Sequence, residues 1–232
     1  MNRKTIFSLL LLLLFICPEV LANSFERERN AMVRSQIRAR GIRDQATLEA
    51  MRAVPRHLYV PAAQIRFAYQ DRPLPIGYGQ TISQPYIVAY MTEIIRPRPD
   101  HKILEIGTGS GYQAAILAEI ADQVYTIEII GALGKQARRK LEAQYDNVHV
   151  KIADGYYGWE EQAPFDAIVV TAAAEYIPPP LVEQLKPGGR MIIPVGSPFQ
   201  MQHLMLVEKK EDGGITTRSL MPVRFVPFER AD

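Results

Sequence analysis

Cysteine is almost absent from this chain, because Cys17 is the only one among 232 residues. A disulfide framework and a zinc site built from several cysteines are therefore excluded. A surplus of one charge is absent as well: 27 Lys and Arg residues oppose 25 Asp and Glu residues, and the formal net charge is +2. Proteins that coat nucleic acid need a much more basic surface, so no nucleic-acid partner is expected.

A hydrophobic run long enough to span a membrane is also missing. Residues 6–17 form an apolar run of 12 residues, whereas a spanning helix needs roughly 20, so no stable membrane anchor is expected. Basic residues 3–4 precede the run and the small residue Ala22 follows it, which is the layout of a secretory signal peptide. We therefore expect residues 1–22 to be cleaved and the mature protein to be periplasmic or exported. The alternative is a translation start at Met32, which would leave the protein in the cytoplasm.

The remaining composition is that of a globular protein, with 47% hydrophobic and 22% charged residues. Residues 23–232 are expected to form a single domain. We divide it into a helical N-terminal elaboration at about 25–100, a core at about 101–195 and a C-terminal hairpin at about 201–227.

Three helices are predicted in the N-terminal elaboration. The apolar spacing favours a helix over residues 26–40 that stops at Gly41, and Asp44 is placed to cap a second helix. A third begins at Pro85, since proline suits the first position of a helix. The segment from Pro55 to Pro85 is rich in proline, tyrosine and glycine, so we expect it to be mostly irregular.

Short apolar runs alternate with helical patterns in the core, which favours an α/β fold with a doubly wound, mostly parallel sheet. The helical patterns begin near Tyr112 and Ala132. Two further apolar runs flank Asp212-Gly213-Gly214, which predicts a terminal antiparallel hairpin. The predicted parallel strands cover residues 103–106, 124–127, 148–152, 167–170 and 191–193.

A glycine-rich turn lies between the first of these strands and the helix that begins near Tyr112. Residues 105–112 read Glu-Ile-Gly-Thr-Gly-Ser-Gly-Tyr. Such glycines let the backbone approach a ligand closely, and a helix N-terminus offers N–H groups to an anion. A dinucleotide fingerprint would place its third glycine at Tyr112, and the Lys-Ser/Thr of a phosphate loop is missing, so both are disfavoured. The candidate cofactor-binding residues here are Glu105, Gly107, Thr108, Gly109 and Gly111.

Two acidic residues follow the next strands. Glu128 ends the second strand, where an acid would receive the hydroxyls of a ribose; the alternative is a solvated charge at a strand end. Asp154 and Gly155 follow the third strand and are candidates to border an adenine, or else form an ordinary turn. With the glycine turn, these features resemble S-adenosylmethionine-dependent methyltransferases. Residues 165–168 and 185–189 resemble that fold's fourth strand and the turn into its fifth.

The acceptor is indicated by a motif upstream of the core. Residues 79–85 read Gly-Gln-Thr-Ile-Ser-Gln-Pro, and together with Val-Pro-Arg at 54–56 and Val-Arg-Phe-Val-Pro at 223–227 they resemble the protein-L-isoaspartate (D-aspartate) O-methyltransferase family. The resemblance implies methyl transfer from S-adenosylmethionine, without a metal, to the α-carboxylate of L-isoaspartyl residues, and of D-aspartyl residues, in damaged proteins and peptides. We expect a monomer, although the sequence itself does not reveal the oligomeric state. The signal peptide departs from the pattern, since most relatives resemble cytosolic proteins.

The resemblance assigns roles to individual residues. It makes Ser83 the active-site residue, with Thr81 and Ile82 in the same loop and Arg224 and Phe225 at the edge of the acceptor site. Ser83 lies outside any Gly-x-Ser-x-Gly elbow, so we expect it to orient the acceptor carboxylate and not to act as a nucleophile. The alternative is that Ser83 caps the helix that begins at Pro85, and Arg224 is alternatively a solvated charge.

Other chemistry-bearing residues are interpreted as structural. The four histidines, His57, His101, His149 and His203, lack the spacing of metal ligands. Trp159 and the pair Tyr156-Tyr157 are expected in the hydrophobic core, although they could also pack beside an adenine.

Two other functions stay open at this stage. One is a methyltransferase of the same fold that acts on a small carboxylic acid. The other is a non-catalytic exported binding protein, which the signal peptide suggests because S-adenosylmethionine is made in the cytosol.

Overall fold

The computed structural model describes residues 18–197 and 200–231. Most of the predicted signal peptide, residues 1–17, lies outside these ranges. Among the helices that are described, none combines the length and the hydrophobicity needed to cross a membrane.

A seven-stranded sheet lies at the centre of the fold, with the strand order β5-β4-β3-β6-β7-β8-β9. The first five strands in this order run parallel, and β8 and β9 add to the edge in antiparallel pairs. The predicted doubly wound, mostly parallel fold with a terminal antiparallel hairpin is confirmed. These strands are β3 (Lys102–Ile106), β4 (Gln123–Glu128), β5 (Val148–Ile152), β6 (Phe165–Val170), β7 (Leu185–Val195), β8 (Gln202–Lys209) and β9 (Ile215–Val223).

Helices cover both faces of the sheet and form the N-terminal elaboration. The α-helices are α1 (Pro18–Met32), α2 (Gln45–Ala53), α3 (Pro85–Ile94), α4 (Tyr112–Ala118), α5 (Gly131–Leu141) and α6 (Pro179–Glu183). A π-helical turn, Val33–Ile37, and a 3-10 turn, Arg38–Arg40, prolong α1. Further 3-10 turns cover Arg56–Tyr59, Ala62–Phe67, Gly155–Tyr157 and Glu160–Gln162.

Local chemistry explains the ends of the N-terminal helices. The chain leaves the helical segment at Gly41 with a φ of 105°, a left-handed conformation that glycine adopts readily. Asp44 caps α2, since its side chain accepts a hydrogen bond from the Thr47 amide at 2.7 Å. Pro85 takes the first turn of α3, where its missing N–H costs no hydrogen bond. All three predicted boundaries are confirmed.

The core lies on both sides of the parallel sheet, because successive side chains of a strand point to opposite faces. On β3, Ile103 packs into the cluster under α2, α3 and α4, whereas Leu104 packs into the cluster under α6. Ala167 and Ile168 divide in the same way on β6. Strands buried on both faces read as continuous apolar runs, which is why they were recognisable in the sequence.

The segment from Pro55 to Pro85 is more ordered than the sequence predicts. Besides two 3-10 turns, it contains an antiparallel hairpin of β1 (Leu74–Gly77) and β2 (Gln80–Ile82), with Leu74 paired to Ile82. The prediction of irregular structure is wrong here because strands of four and three residues are too short to show an alternating pattern.

After β9 the chain turns back across the sheet edge as residues 224–231, here called the C-terminal strap. The Ala173 amide donates to the Val226 carbonyl, and the Phe228 amide donates to the Ala173 carbonyl, both at 2.8 Å. The buried side chain of Gln202 donates a hydrogen bond to the Phe225 carbonyl and accepts one from the Phe225 amide. The strap is thereby fixed over the end of β6.

Candidate active site

The carboxyl ends of β3, β4 and β6 meet where the strand order reverses between β3 and β6. Such a reversal opens a crevice in doubly wound folds, and ligands bind there. A cavity occupies this place, and we call it the Glu128 cavity. It is lined by Gln80, Thr81, Ile106, Gly107, Gly109, Ile127, Glu128, Ile129, Ile130, Gly155, Thr171, Ala172, Val226, Pro227, Phe228 and Glu229.

Four backbone amides of the glycine-rich turn donate hydrogen bonds within the protein. The amides of Gly107 and Thr108 donate to the Ile127 carbonyl, at 2.8 and 3.2 Å. The Gly109 amide donates to Glu128 Oε2 at 2.7 Å, and the Gly111 amide to the Thr108 carbonyl at 2.8 Å. These four amides are therefore engaged within the protein, and the offer of further N–H groups from the helix N-terminus to an anion stays a prediction.

The turn instead lets neighbouring walls of the cavity approach each other closely. Gly107 has a φ of 94°, and a Cβ at this position would lie 2.4 Å from Thr171 Oγ1. A Cβ at Gly155, on the other side of the cavity, would lie 2.4 Å from Ile106 Cγ2. A side chain at either position would push the two walls apart, so glycine keeps the walls of the cavity close together.

Glu128 lies at the end of β4 and is 5% exposed. Its Oε1 accepts a hydrogen bond from the Ile130 amide at 2.9 Å, while its Oε2 holds Gly109. Burial raises the pKa of Glu128, and the two backbone amides counteract that rise. The carboxylate thus fixes the glycine turn, and each oxygen retains a lone pair for a ligand hydroxyl.

Glu105 is completely buried beneath the glycine turn. Its Oε2 accepts a hydrogen bond from the Thr126 hydroxyl, which is bonded in turn to the Thr108 hydroxyl. Its Oε1 is buried and has no hydrogen-bond partner. Burial raises the pKa of Glu105 to about 8. A buried carboxylate with one free oxygen is a site for a cationic group, because such a group would satisfy the oxygen and favour its charged form.

A second cavity, the Ser83 cavity, lies on the other side of the glycine turn. It has Thr81, Gly107, Gly109 and Thr171 in common with the Glu128 cavity, so the two adjoin. Its other lining residues are Ile82, Ser83, Val88, Glu105, Thr108, Ser110, Tyr112 and Gln113. The structure therefore brings the predicted loop residues Thr81, Ile82 and Ser83 to the predicted glycine turn.

Ser83 is half-buried in this cavity. The residue that caps α3 is Gln84, and no side chain donates or accepts at that cap. The alternative interpretation of Ser83 as the helix cap is therefore wrong. The Ser83 carbonyl accepts a hydrogen bond from Arg56, so the backbone at Ser83 is held from behind the cavity wall.

The C-terminal motif reaches the site one residue later than the sequence predicts. Arg224 is exposed and Phe225 packs against the core, and neither lines the two cavities. The next four residues of the strap, 226–229, line the Glu128 cavity instead. A role for Arg224 and Phe225 toward the acceptor stays a prediction.

Asp154 fastens the end of the strap. Its Oδ2 pairs with Arg230 Nε at 2.9 Å and accepts a hydrogen bond from the Ala231 amide at 3.2 Å. Although burial alone would raise it, the pKa of Asp154 is lowered by the hydrogen bonds from Arg230, Tyr156 and Ala231. Gly155, and not Asp154, lines the Glu128 cavity.

The histidines pack locally and line neither cavity. His57 stacks on Phe25, His149 stacks on Tyr125, His101 accepts from Arg98, and His203 lies 3.2 Å from the Ser219 hydroxyl. In the described ranges, no group of three or more His, Cys, Asp or Glu residues could hold a metal ion.

The aromatic residues after Asp154 divide between core and surface. Trp159 packs edge-on against Tyr125 in the core, as expected. Tyr157 is 61% exposed, so the expectation of a core position is wrong for it.

Sequence reasoning missed several polar residues of the site, among them Thr171 and Gln113. Thr171 directly follows β6, and its hydroxyl donates to the Gly107 carbonyl at 2.7 Å. Gln113 lines the Ser83 cavity and donates to the Thr92 hydroxyl at 2.9 Å. A signal existed for Thr171, because a polar residue at the carboxyl end of a central parallel strand lies at the ligand-binding edge.

Comparison with known proteins agrees with this geometry. A protein-L-isoaspartate O-methyltransferase 2 from a Polaromonas species is 63% identical over 80% of this chain and 88% of its own. A protein-L-isoaspartate O-methyltransferase from Opitutus terrae is 58% identical over 96% of this chain and 97% of its own.

A solved structure of a beta-aspartate methyltransferase (PCMT) from Plasmodium falciparum holds S-adenosyl-L-homocysteine. It aligns with a TM-score of 0.75 at 26% identity and covers 88% of this chain and 99% of that one. The model of the family described as Protein-L-isoaspartate(D-aspartate) O-methyltransferase (PCMT) matches residues 27–231. This chain is a member of the protein-L-isoaspartate(D-aspartate) O-methyltransferase family.

Proposed function

We propose that this chain is a repair enzyme that moves a methyl group from S-adenosylmethionine to the α-carboxylate of L-isoaspartyl residues, and of D-aspartyl residues, in damaged peptides and proteins. Membership of the family and the names of the Polaromonas and Opitutus relatives support this activity. The observation that carries it is the common wall of the two cavities, which places Ser83 beside the Glu128 cavity.

The residues of the site fit S-adenosylmethionine, which supplies a methyl group on a positively charged sulfur when it is bound. Glu105 would receive the amino group at its free Oε1, because that atom is buried without a partner. Glu128 would accept the ribose hydroxyls at the end of β4. The glycine turn would let the backbone lie close to the bound cofactor, because a Cβ at Gly107 would already meet Thr171 Oγ1 at 2.4 Å.

The residues of the Ser83 cavity need only to orient the acceptor. A carboxyl group has a pKa near 4 and is ionised at neutral pH, so no strong general base is required. One oxygen of the acceptor carboxylate forms a bond to the methyl carbon, the sulfur–methyl bond breaks, and its electron pair remains on the sulfur. The Ser83 hydroxyl would donate to the other carboxylate oxygen. Positive and negative charge cancel in this step, and a cavity that excludes water favours such a loss of charge.

The test is methyl transfer from labelled S-adenosylmethionine to two synthetic peptides that differ only in L-isoaspartate against aspartate. We expect base-labile label on the isoaspartyl peptide alone, because a methyl ester is base-labile and the acceptor geometry differs between the two. Equal labelling of both peptides would contradict the specificity. Labelling of neither peptide, with the cofactor bound, would contradict the function and bring the small carboxylic acids forward as substrates.

We also propose that residues 1–22 direct export and that the mature monomer begins at Asn23. Two contacts support this start over one at Met32: the Phe25 ring stacks on His57 with centroids 4.0 Å apart, and Arg29 donates to the Arg52 carbonyl. Mass spectrometry of the native protein, with light scattering for its oligomeric state, tests both points. A chain beginning at Met32 would contradict export.

A further inference from the structure

Arg56 is a charged residue that the proposed chemistry does not use, although its side chain is completely buried. Buried guanidinium groups normally pair with a carboxylate, because the loss of hydration is otherwise costly. Within the described part of the chain, Arg56 forms no ion pair. Burial lowers the pKa of Arg56 to about 10, which leaves the group charged at neutral pH.

The hydrogen bonds of Arg56 go to two backbone carbonyls on different segments. Its Nε donates to the Ala68 carbonyl at 2.8 Å, and its Nη2 donates to the Ser83 carbonyl at 2.7 Å. The remaining terminal nitrogen, Nη1, is buried without a partner. The rigid fork of arginine suits this double contact, whereas the single ammonium group of lysine cannot reproduce it.

The position of Arg56 places its charge directly behind the Ser83 cavity. The guanidinium carbon lies 4.9 Å from the centre of the Tyr112 ring. Tyr112 and Ser83 both line the cavity, and both contact Arg56. Glu105 also lines this cavity, but burial raises its pKa to about 8, so its carboxyl group is mostly uncharged at neutral pH in the free protein, and with the cofactor bound its charge would be matched by the amino group proposed to lie there. The Arg56 charge, beside the cavity and away from water, therefore makes the cavity favourable to an anion.

We propose that Arg56 is a positioning residue for the acceptor: it fixes Ser83 through its carbonyl oxygen, and its unpaired positive charge favours a carboxylate in the Ser83 cavity. The inference rests on the proposed function, since it takes the acceptor to be a carboxylate. It explains why the fold keeps a buried cation whose partners, among the residues that the structure describes, are two carbonyl groups and an aromatic ring.

Two substitutions separate the effect of the positive charge from that of the double hydrogen bond. Arg56→Met removes both, whereas Arg56→Lys keeps the charge and loses the double hydrogen bond. The matched control is Arg138→Met, because Arg138 also donates to a backbone carbonyl, that of Val150 in β5, but lies outside both cavities. For each variant, kcat and KM for the isoaspartyl peptide are measured, together with the Kd for S-adenosylhomocysteine.

We expect Arg56→Met to raise the KM for the peptide at least about tenfold, with the Kd for S-adenosylhomocysteine within about twofold of the wild type. Arg56→Lys should show a smaller rise of KM and a lower kcat, and Arg138→Met should change neither. A structural role alone would weaken cofactor and peptide binding together.

Each other outcome has a defined meaning. Values of kcat and KM in both Arg56 variants that equal those of the wild type would overturn the inference. If Arg56→Met does not bind S-adenosylhomocysteine, Arg56→Lys decides alone, and an unchanged KM and kcat in this variant would overturn it. A wild-type protein that labels neither peptide contradicts the proposed function, which is a different failure, because the wild type is measured before any variant.

Discussion

The Glu128 cavity and the Ser83 cavity adjoin, yet they are built in different ways. The walls of the Glu128 cavity that would hold the cofactor lie at the carboxyl ends of neighbouring strands. The parallel sheet itself therefore positions Gly107, Glu128, Gly155 and Thr171. The Ser83 side depends on a short hairpin and on a buried arginine that comes 27 residues before Ser83. The comparison teaches that the proposed cofactor contacts of Glu105 and Glu128 follow from the parallel sheet, whereas the proposed acceptor residue Ser83 is placed by segments added to it.

The strongest test of this difference between the two cavities is a side chain that fills the space between β3 and β6. In Gly107→Ala, the new Cβ would meet Thr171 Oγ1 at 2.4 Å, and alanine is also strained at the φ of 94°. We expect the Kd for S-adenosylhomocysteine to rise more than about a hundredfold, because the turn must move away from the ligand. Calorimetric titration measures it.

Gly109→Ala is the matched control, since its Cβ would lie 3.4 Å from Ile76 Cδ1, an ordinary contact. The φ of 53° at Gly109 should still cost about 1 kcal/mol of stability. Equal losses of binding in the two variants would contradict the importance of the contact with Thr171.

Glu105 gives the second largest expected effect, and its pH dependence has a definite sign. The free carboxyl has a pKa of about 8, raised by burial from 4.5. Binding of a cation at Oε1 requires the charged form, so the affinity for S-adenosylhomocysteine should rise by up to about tenfold per pH unit from about pH 6 to pH 8. In Glu105→Gln this rise should disappear, and binding at pH 8 should be about ten- to a hundredfold weaker.

The same substitution should stabilise the cofactor-free protein at high pH. A carboxyl whose pKa is raised by folding binds more protons in the folded state, so the free energy of unfolding falls as pH rises from 4.5 to about 8. Thermal denaturation should therefore show Glu105→Gln melting above the wild type at about pH 8, with the difference closing toward about pH 5. A difference in melting temperature that does not depend on pH would contradict the assignment.

Ser83→Ala tests the other side of the comparison. We expect kcat/KM for the isoaspartyl peptide to fall about tenfold, because one hydrogen bond to a charged acceptor is lost. The Kd for S-adenosylhomocysteine should stay within about twofold, since in the described part of the chain Ser83 forms no hydrogen bond with Glu105 or Glu128, the two carboxyl groups proposed to hold the cofactor. Steady-state kinetics with titration calorimetry measure both. Wild-type values of kcat/KM would show that Ser83 does not orient the acceptor.

The same division explains what the sequence could predict. The parallel strands, the glycine turn and the Asp44 cap depend on local patterns: continuous apolar runs, glycine spacing and a capping residue three positions before its partner amide. Gly107 and Glu128 were found because strand ends in a parallel sheet converge on one edge. The family motif, and no local pattern, pointed to Ser83.

What the sequence could not predict depends on contacts between distant segments. The β1–β2 hairpin is too short for a periodic signal, and its tip turns at Tyr78 with a φ of 53°. Nothing in the composition distinguishes buried Arg56 from the exposed arginines around it, because its burial follows from the packing of Ala68 and Ser83. The strap reaches the cavity at 226–229 because Ala173 pairs with Pro227, a long-range register that no pattern predicts.

A substitution in the strap gives the smallest expected effect. It tests the comparison of the two cavities, because the strap is an added segment that lines the Glu128 cavity. Arg230 pairs with Asp154 at 2.9 Å with 40% of its side chain exposed, and Gln80 donates to Glu229 at 3.2 Å. Arg230→Met should lower stability by less than about 1 kcal/mol, as for other exposed pairs. We expect S-adenosylhomocysteine to dissociate about two- to fivefold faster, because the strap opens more often.

A stopped-flow chase experiment measures this dissociation, with Glu142→Gln as the control, since it breaks an ion pair with Arg138 on α5, an arginine as exposed as Arg230. The kcat/KM for the peptide should not change in Arg230→Met, because none of the strap residues lines the Ser83 cavity. Slower methyl transfer with unchanged dissociation would instead place the strap on the acceptor side. The boundary between the two regions would then run along the strap, and not along the glycine turn.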